Sequence, residues 1–204
     1  LEIRRAACTD LAEHFGTPLY VFDEAHIRKM MRIYRGTIER EYEGNGKVLY
    51  ASKAFSCEAI YRIADSEKIG IDVVSGGELY TALKAGFPAS EIYMHGNNKL
   101  GYELKEALDA GIGCIVADAY SEIDTIEREP EKRGLVQNIL LRINPGVEAH
   151  THAYIQTAKT DSKFGFSVAD GTAEKITRYA LSKKHVNLRG FHCHIGSQIF
   201  EKQS

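Results

Sequence analysis

Short apolar runs alternate with amphipathic stretches along most of the chain, and the two periods predict different elements. Apolar runs at residues 48–52, 71–74, 91–94, 114–117, 138–143 and 188–194 have the length and composition of strands. Between them, residues 58–68, 78–85, 104–110 and 172–183 read as helices, and Gly70, Gly86 and Gly111 stand where a helix C-terminus favours glycine. Upstream, "TPLYVFD" (17–23) predicts a short strand opening after a proline. Asp23 is placed to cap a following helix that runs through Tyr34, with Ile27, Met30, Met31 and Tyr34 on one face.

Six consecutive strand–helix units with nearly continuous apolar strands imply a parallel sheet covered by helices. A doubly wound open sheet and a (β/α)8 barrel both satisfy that pattern. The open sheet would carry G-x-G-x-x-G after its first strand, and neither "GNGKVL" nor "GIGCIV" completes it. Polar residues instead mark the strand ends: Lys53, Asp72, His95, Asp118, Arg142 and His194. That face is where a barrel builds its active site, so the α/β barrel is the expected fold class. A closed barrel takes eight units in about 250 residues. With about six units present, the expectation is an incomplete barrel and an N-terminal fragment, poorly soluble or unstable alone because its sheet edges stay open.

Composition narrows the function classes. The 204 residues are 44% hydrophobic and 26% charged, and 26 Lys+Arg against 28 Asp+Glu leave a formal charge of −2. Such a balance gives no reason to expect nucleic acid or an acidic membrane surface as partner. Cys8, Cys57, Cys114 and Cys193 lack C-x-x-C spacing and read as free thiols of a reducing, cytoplasmic compartment. Neither an apolar run of membrane-spanning length nor a signal-peptide pattern is present, although the chain begins at Leu1 rather than Met.

In "VLYASKAF" (48–55) a buried-looking strand ends on a lysine. By strand alternation Lys53 shares a face with Leu49 and Ala51. Apolar walls and neighbouring charges there favour a neutral amine able to attack a carbonyl, the requirement for a Schiff-base lysine. A lone lysine can equally snorkel to solvent. Asp72, followed by "VSGGEL", can pair with Lys53, position a cationic cofactor, or cap the next helix. Arg142, in "LLRINPG", offers a planar fork to a phenolate, phosphate or carboxylate, or forms an ion pair with a barrel carboxylate such as Asp72. In "GFHCHIGSQIF" (190–200), alternation puts His192 and His194 on one face and Cys193 on the other, which argues against a three-ligand metal site, even with His150 and His152 nearby. An imidazole there can stack on a flat ring, and Gly196 with Ser197 offers donors for a phosphate. Lys159 and Lys163 in "TAKTDSKFGF", and the polar "HGNNK" (95–99), suit a barrel mouth or merely a solvated loop.

Taken in order, "TPLYVFD", "YASKAF", "DVVSGGEL", "HGNNK", "RINPGVEAHTHAYIQT", "SKFGF" and "GFHCHIGSQI" resemble the alanine-racemase-like barrel family of pyridoxal-phosphate enzymes, over nearly the whole chain. "HGNNK" and "HCHIGSQ" resemble its diaminopimelate-decarboxylating branch rather than the ornithine, arginine or racemase branches. The resemblance implies pyridoxal 5'-phosphate as cofactor, carried covalently on Lys53. It also implies His194 stacked on the cofactor ring, Ser197 near its phosphate, and Asp72 and Arg142 lining the pocket. The implied reaction is loss of the carboxylate at the D-centre of meso-2,6-diaminopimelate, yielding L-lysine. A decarboxylase of another basic amino acid and a non-catalytic barrel homologue are the alternatives.

The implied partners are a small amino-acid substrate and a second copy of the full-length protein in a homodimer. Residues 1–22 are expected to form an N-terminal segment whose strand joins a C-terminal β-domain, and residues 23–204 the partial barrel. Ala158 stands where the family commonly has glycine. The family's glycine-rich phosphate loop, its acidic partner of the pyridine nitrogen, and its C-terminal cysteine and tyrosine have no counterpart among the 204 residues.

Overall fold

A computed structural model of the chain describes residues 1–131, 134–147 and 164–196. Its N-terminal part is a small antiparallel pair, β1 (Glu2–Ile3) and β2 (Ala6–Ala7), followed by helices α1 (Cys8–Phe15) and α2 (Glu24–Glu41). Strand–helix units then follow: β3 (Leu49–Ala51), α3 (Glu58–Ser66), β4 (Gly70–Val73), α4 (Gly76–Lys84), β5 (Ile92–Met94), α5 (Gly101–Ala110), β6 (Cys114–Ala117), α6 (Tyr120–Glu131) and β7 (Gln137–Asn144). A two-residue strand β8 (Phe166–Ser167), α7 (Thr172–Leu181) and β9 (Val186–His192) complete the described elements.

The parallel sheet runs β3-β4-β5-β6-β7, and β9 pairs β7 along Gln137 to Arg142. Beyond that point the last two residues of β7 pair β8 instead. Parallel crossovers are right-handed, so a strictly sequential strand order puts every connecting helix on the same face. A doubly wound sheet would need a reversal of order. The side chains of Asp72, Tyr93, His95, Val116, Leu140 and His192 line one cavity of about 230 Å³ on the other face. The architecture is an incomplete (β/α) barrel, with helices outside and this cavity inside.

Apolar strands and amphipathic helices explain the core. Ile71, Val73, Ile92, Met94, Ile115, Ala117, Ile139 and Leu141 are buried from the strands. Tyr61, Leu79, Leu104, Ile123, Ile126 and Ile176 meet them from the helices. Asp23 caps α2 by accepting from the His26 N–H at 3.1 Å, and Ile27, Met30, Met31 and Tyr34 share a face against β3.

Three local expectations change. Residues 17–23 carry no strand, since no ladder partner meets them among the described residues; Leu19, Tyr20, Val21 and Phe22 stay exposed. Gly70 does not end a helix: α3 stops at Ser66, Lys68 takes the left-handed conformation (φ 55°), and Gly70 opens β4. A Cβ there would lie 2.5 Å from Leu49 Cδ2, so close strand packing explains that glycine. Gly86 and Gly111 do take positive φ, 81° and 69°, just past their helices. Helices α1 and α6 were not expected: α1 is only eight residues long, and α6 carries just Tyr120, Ile123 and Ile126 as apolar residues.

Candidate functional site

Lys53 follows β3 in a single 3-10 turn, Ser52–Ala54. The strand ends at Ala51, so alternation no longer governs where the lysine points. Its turn is held from both sides: Tyr50 Oη donates to the Phe55 carbonyl at 2.8 Å, and the Phe55 ring stacks on Phe22 with centroids 4.3 Å apart. Lys53 is exposed, so the described residues do not supply the apolar walls expected around it. Its charge nonetheless acts on Asp72, His95, His192 and His194, which places it at the mouth of the barrel interior.

Asp72 is the third residue of β4, in register with Ala51 and Tyr93. It caps no helix: Ser75 Oγ accepts from the Glu78 N–H at 3.2 Å and does that work for α4. Burial pushes the Asp72 carboxyl up to about 6 against the pull of Lys53. Its Oδ1 is buried with no hydrogen-bond partner among the described residues.

The same holds for His95 Nε2 and His192 Nδ1, on rings whose centroids lie 4.4 Å apart. Burial, then the neighbouring His192 and Arg142, hold His95 down to about 3; burial and Arg142 hold His192 down to about 4. Both imidazoles are neutral at pH 7 and can donate or accept one hydrogen bond at each nitrogen. His194 is half-buried on the side of the chain that His192 takes, while Cys193 is exposed. Burial, then Lys53 and Arg142, lower the His194 pKa.

Arg142 is in register with His192, and its side chain is 7% exposed. Its ion pair is with Asp118 at 3.3 Å, not with Asp72, and its guanidinium lies 4.6 Å from the Phe164 ring centroid. Ser197, Lys159, Lys163, His150, His152 and Ala158 lie outside the described residues. Among the described residues no group of three His, Cys, Asp or Glu side chains can hold a metal ion, and all four cysteines are free.

The interior thus presents a carboxylate and two imidazoles tilted at 60° to each other along a small cavity, an amine and a fixed arginine whose charges act on them, and three buried polar atoms lacking partners among the described residues. Such orphans are costly unless a polar ligand or water meets them. Residues 24–204 match the family described as "Pyridoxal-dependent decarboxylase, pyridoxal binding domain". The chain belongs to this family. The cofactor of these decarboxylases is pyridoxal phosphate. The donor set here fits its aldehyde and ring: an amine for the carbonyl carbon, and a carboxylate and imidazoles for a flat polar heterocycle.

Among relatives, the diaminopimelate decarboxylase of Bacillus methanolicus is 51% identical over 201 residues, 98% of this chain and 46% of that protein. A crystal structure of diaminopimelate decarboxylase from M. jannaschii superposes with a TM-score of 0.86 at 38% identity, covering 98% of this chain and 47% of that one. The same enzyme in complex with L-lysine gives 0.84 at 37% identity, covering 97% and 46%. The chain spans just under half the length of these pyridoxal-dependent relatives.

Sequence reasoning missed Asp118, His95 and His192 as site members, although it placed Asp118 and His95 at strand ends. The available signal was polarity at a strand C-terminus. That signal says a side chain reaches the mouth and is silent on what it touches there.

Proposed function

We propose that the protein carrying this chain decarboxylates meso-2,6-diaminopimelate to L-lysine and carbon dioxide, with pyridoxal phosphate held covalently by Lys53. The observation that supports the reading is that the charge of Lys53, just past a strand end in register with Asp72, acts on both Asp72 and His194, in a chain 51% identical to a diaminopimelate decarboxylase. Binding of L-lysine by the M. jannaschii relative supports the product assignment.

Bound pyridoxal phosphate supplies an electron sink for the pair left when carbon dioxide departs. Lys53 Nζ would hold the cofactor covalently through its aldehyde carbon and, when a substrate amine takes that place, would be an amine able to carry a proton. His194 offers a neutral, half-buried ring to stack on the cofactor. Asp72, ionised above a pKa of about 6, places negative charge beside Lys53. Arg142, pinned by Asp118, would present a fixed positive charge to an anionic oxygen, and the Ser197 hydroxyl would donate to the cofactor phosphate. Residues 1–22 form an N-terminal segment that joins a C-terminal β-domain, residues 23–204 form part of the barrel, and the whole protein works as a cytoplasmic homodimer.

The test is borohydride reduction of the full-length protein with pyridoxal phosphate, followed by peptide mapping and by assay of carbon dioxide release. The expected outcome is label concentrated on Lys53, lost in Lys53→Ala, with turnover of meso-diaminopimelate at least 100-fold above that of L-lysine, L-ornithine or L-arginine. Label scattered over surface lysines sinks the cofactor assignment. Preferred release from another amino acid moves the substrate.

A further inference from the structure

Three of the motifs converge on a buried carboxylate that belongs to none of them. Asp118 follows β6, and its side chain is 4% exposed. One oxygen accepts from the Gly165 N–H of "SKFGF" at 2.8 Å, and the other faces Arg142 Nη1 of "RINPG" at 3.3 Å. The Asp118 N–H donates to Glu122 Oε2 at 2.8 Å, and that oxygen also takes an ion pair from Lys99 of "HGNNK" at 3.0 Å.

Lys99 is the unusual member. Its side chain is 1% exposed, and a buried ammonium is tolerated only when fully compensated. Its three N–H donors are matched by three oxygens: Glu122 Oε2, the Gly96 carbonyl at 2.5 Å and the Val116 carbonyl at 2.8 Å. These tie the loop that begins with His95 to the end of β6. Gly96, at φ 120°, packs that loop against β4, where a Cβ would lie 3.3 Å from the Val74 carbonyl.

We propose that Lys99, acting through Glu122 and Asp118, is a positioning residue that holds Arg142 and the His95 loop in place in the cofactor pocket. Stability alone does not call for the arrangement, since apolar side chains of similar volume commonly replace a buried ion pair at little or no loss. What such a replacement removes is the fixed geometry running from the "HGNNK" loop to the arginine. Lys99 and Arg142 both also disfavour protonation of His95, so the network and the imidazole are electrically linked. The cofactor part of the inference rests on the proposed function; the ordering of Arg142 does not.

The test compares the full-length protein with its Lys99→Met/Glu122→Met double variant, which leaves no uncompensated partner charge. On the apo-protein, NMR should show Arg142 Nε–H exchange at least 10-fold faster in the double variant and the His95 titration displaced upward. Pyridoxal phosphate should dissociate at least 10-fold more readily while the melting temperature stays near the parent's. Unchanged Arg142 exchange and unchanged cofactor affinity in a folded double variant overturn the inference and leave the network a structural strut. Should the double variant not fold, Glu122→Gln keeps the shape and an acceptor oxygen; Arg142 exchange at least threefold faster sustains the inference and unchanged exchange overturns it. A parent that takes up no cofactor defeats the proposed function, and the apo-protein exchange rates then decide the positioning alone.

Discussion

Two carboxylates illustrate how environment sets opposite pH responses. Glu67, at the end of α3, pairs with Arg32 at 2.6 Å and Arg28 at 3.0 Å from α2, and these guanidiniums, Arg32 foremost, hold its carboxyl at about 2. The folded-state pKa lies below the unfolded value, so the clasp's contribution is present above pH 4.5 and is lost as pH falls toward 2. Glu67→Gln is expected to flatten the fall in urea midpoint over that window and to lower the midpoint at pH 7. Asp72 behaves in the reverse sense: burial raises it from 3.8 to about 6, so folding is favoured below 3.8 and that advantage is lost as pH rises through 6. Asp72→Asn should therefore raise the urea midpoint above pH 6 and leave it unchanged below pH 3.8. A midpoint gain equal at pH 3 and pH 8 would assign the effect to something other than the carboxyl's titration. Lys53 and Asp72 were legible as site candidates because each combines a polar residue type with a strand end. Asp118 carries the same signal, but its contacts were not legible, because they come from partners on other segments.

At the scale of elements, two glycines make a contrast that backbone geometry decides. Gly36 lies inside α2 with nothing within 4 Å of where a Cβ would be, so Gly36→Ala is expected to raise stability by about 1 kcal/mol. Gly113, just before β6, would place a Cβ 2.0 Å from the Ser90 carbonyl oxygen, against backbone that cannot swing aside. Gly113→Ala should cost more than about 2 kcal/mol, read by thermal unfolding of the full-length protein beside the first variant. The six main strands and helices α3, α4, α5 and α7 were readable to within two or three residues, since apolar period and turn chemistry act locally, whereas α2 runs seven residues past Tyr34 and α6 was not read. Residues 17–23 form no strand among the described residues because a strand needs a partner as well as β-favouring side chains, and the partner expected for them is a C-terminal β-domain. That partner is not a property of the seven residues.

For the whole molecule, the sheet has β3 at one edge and β8 with β9 at the other, and neither edge finds a further strand among the described residues. Beside β3, an apolar groove of about 370 Å³ runs between α2 and the sheet, lined by Ile27, Met30, Met31, Tyr34, Leu49 and Ile69. Open edges and an exposed apolar groove favour association. Residues 1–204 expressed alone are expected to elute from size exclusion as aggregates or polydisperse oligomers and to bind a hydrophobic dye, whereas the complete protein elutes as one discrete species and does not bind the dye. A monodisperse, dye-silent monomer of the 204 residues would contradict that reading.

Residue order by itself determined the succession of strand–helix units, the barrel class and the positions at which polar groups reach the mouth. These depend on the hydrophobic period, on helix caps and on the right-handed crossover, all of which operate within one or two elements. Tertiary structure alone decided which of those groups meet. Arg142 finds Asp118 across 24 positions of chain and Gly165 finds it across 47, while His95 and His192 come ring to ring from the ends of β5 and β9. Contacts of that kind follow from sheet register and curvature, which sum small rotations over every strand between the partners, and no local pattern of residues carries that sum.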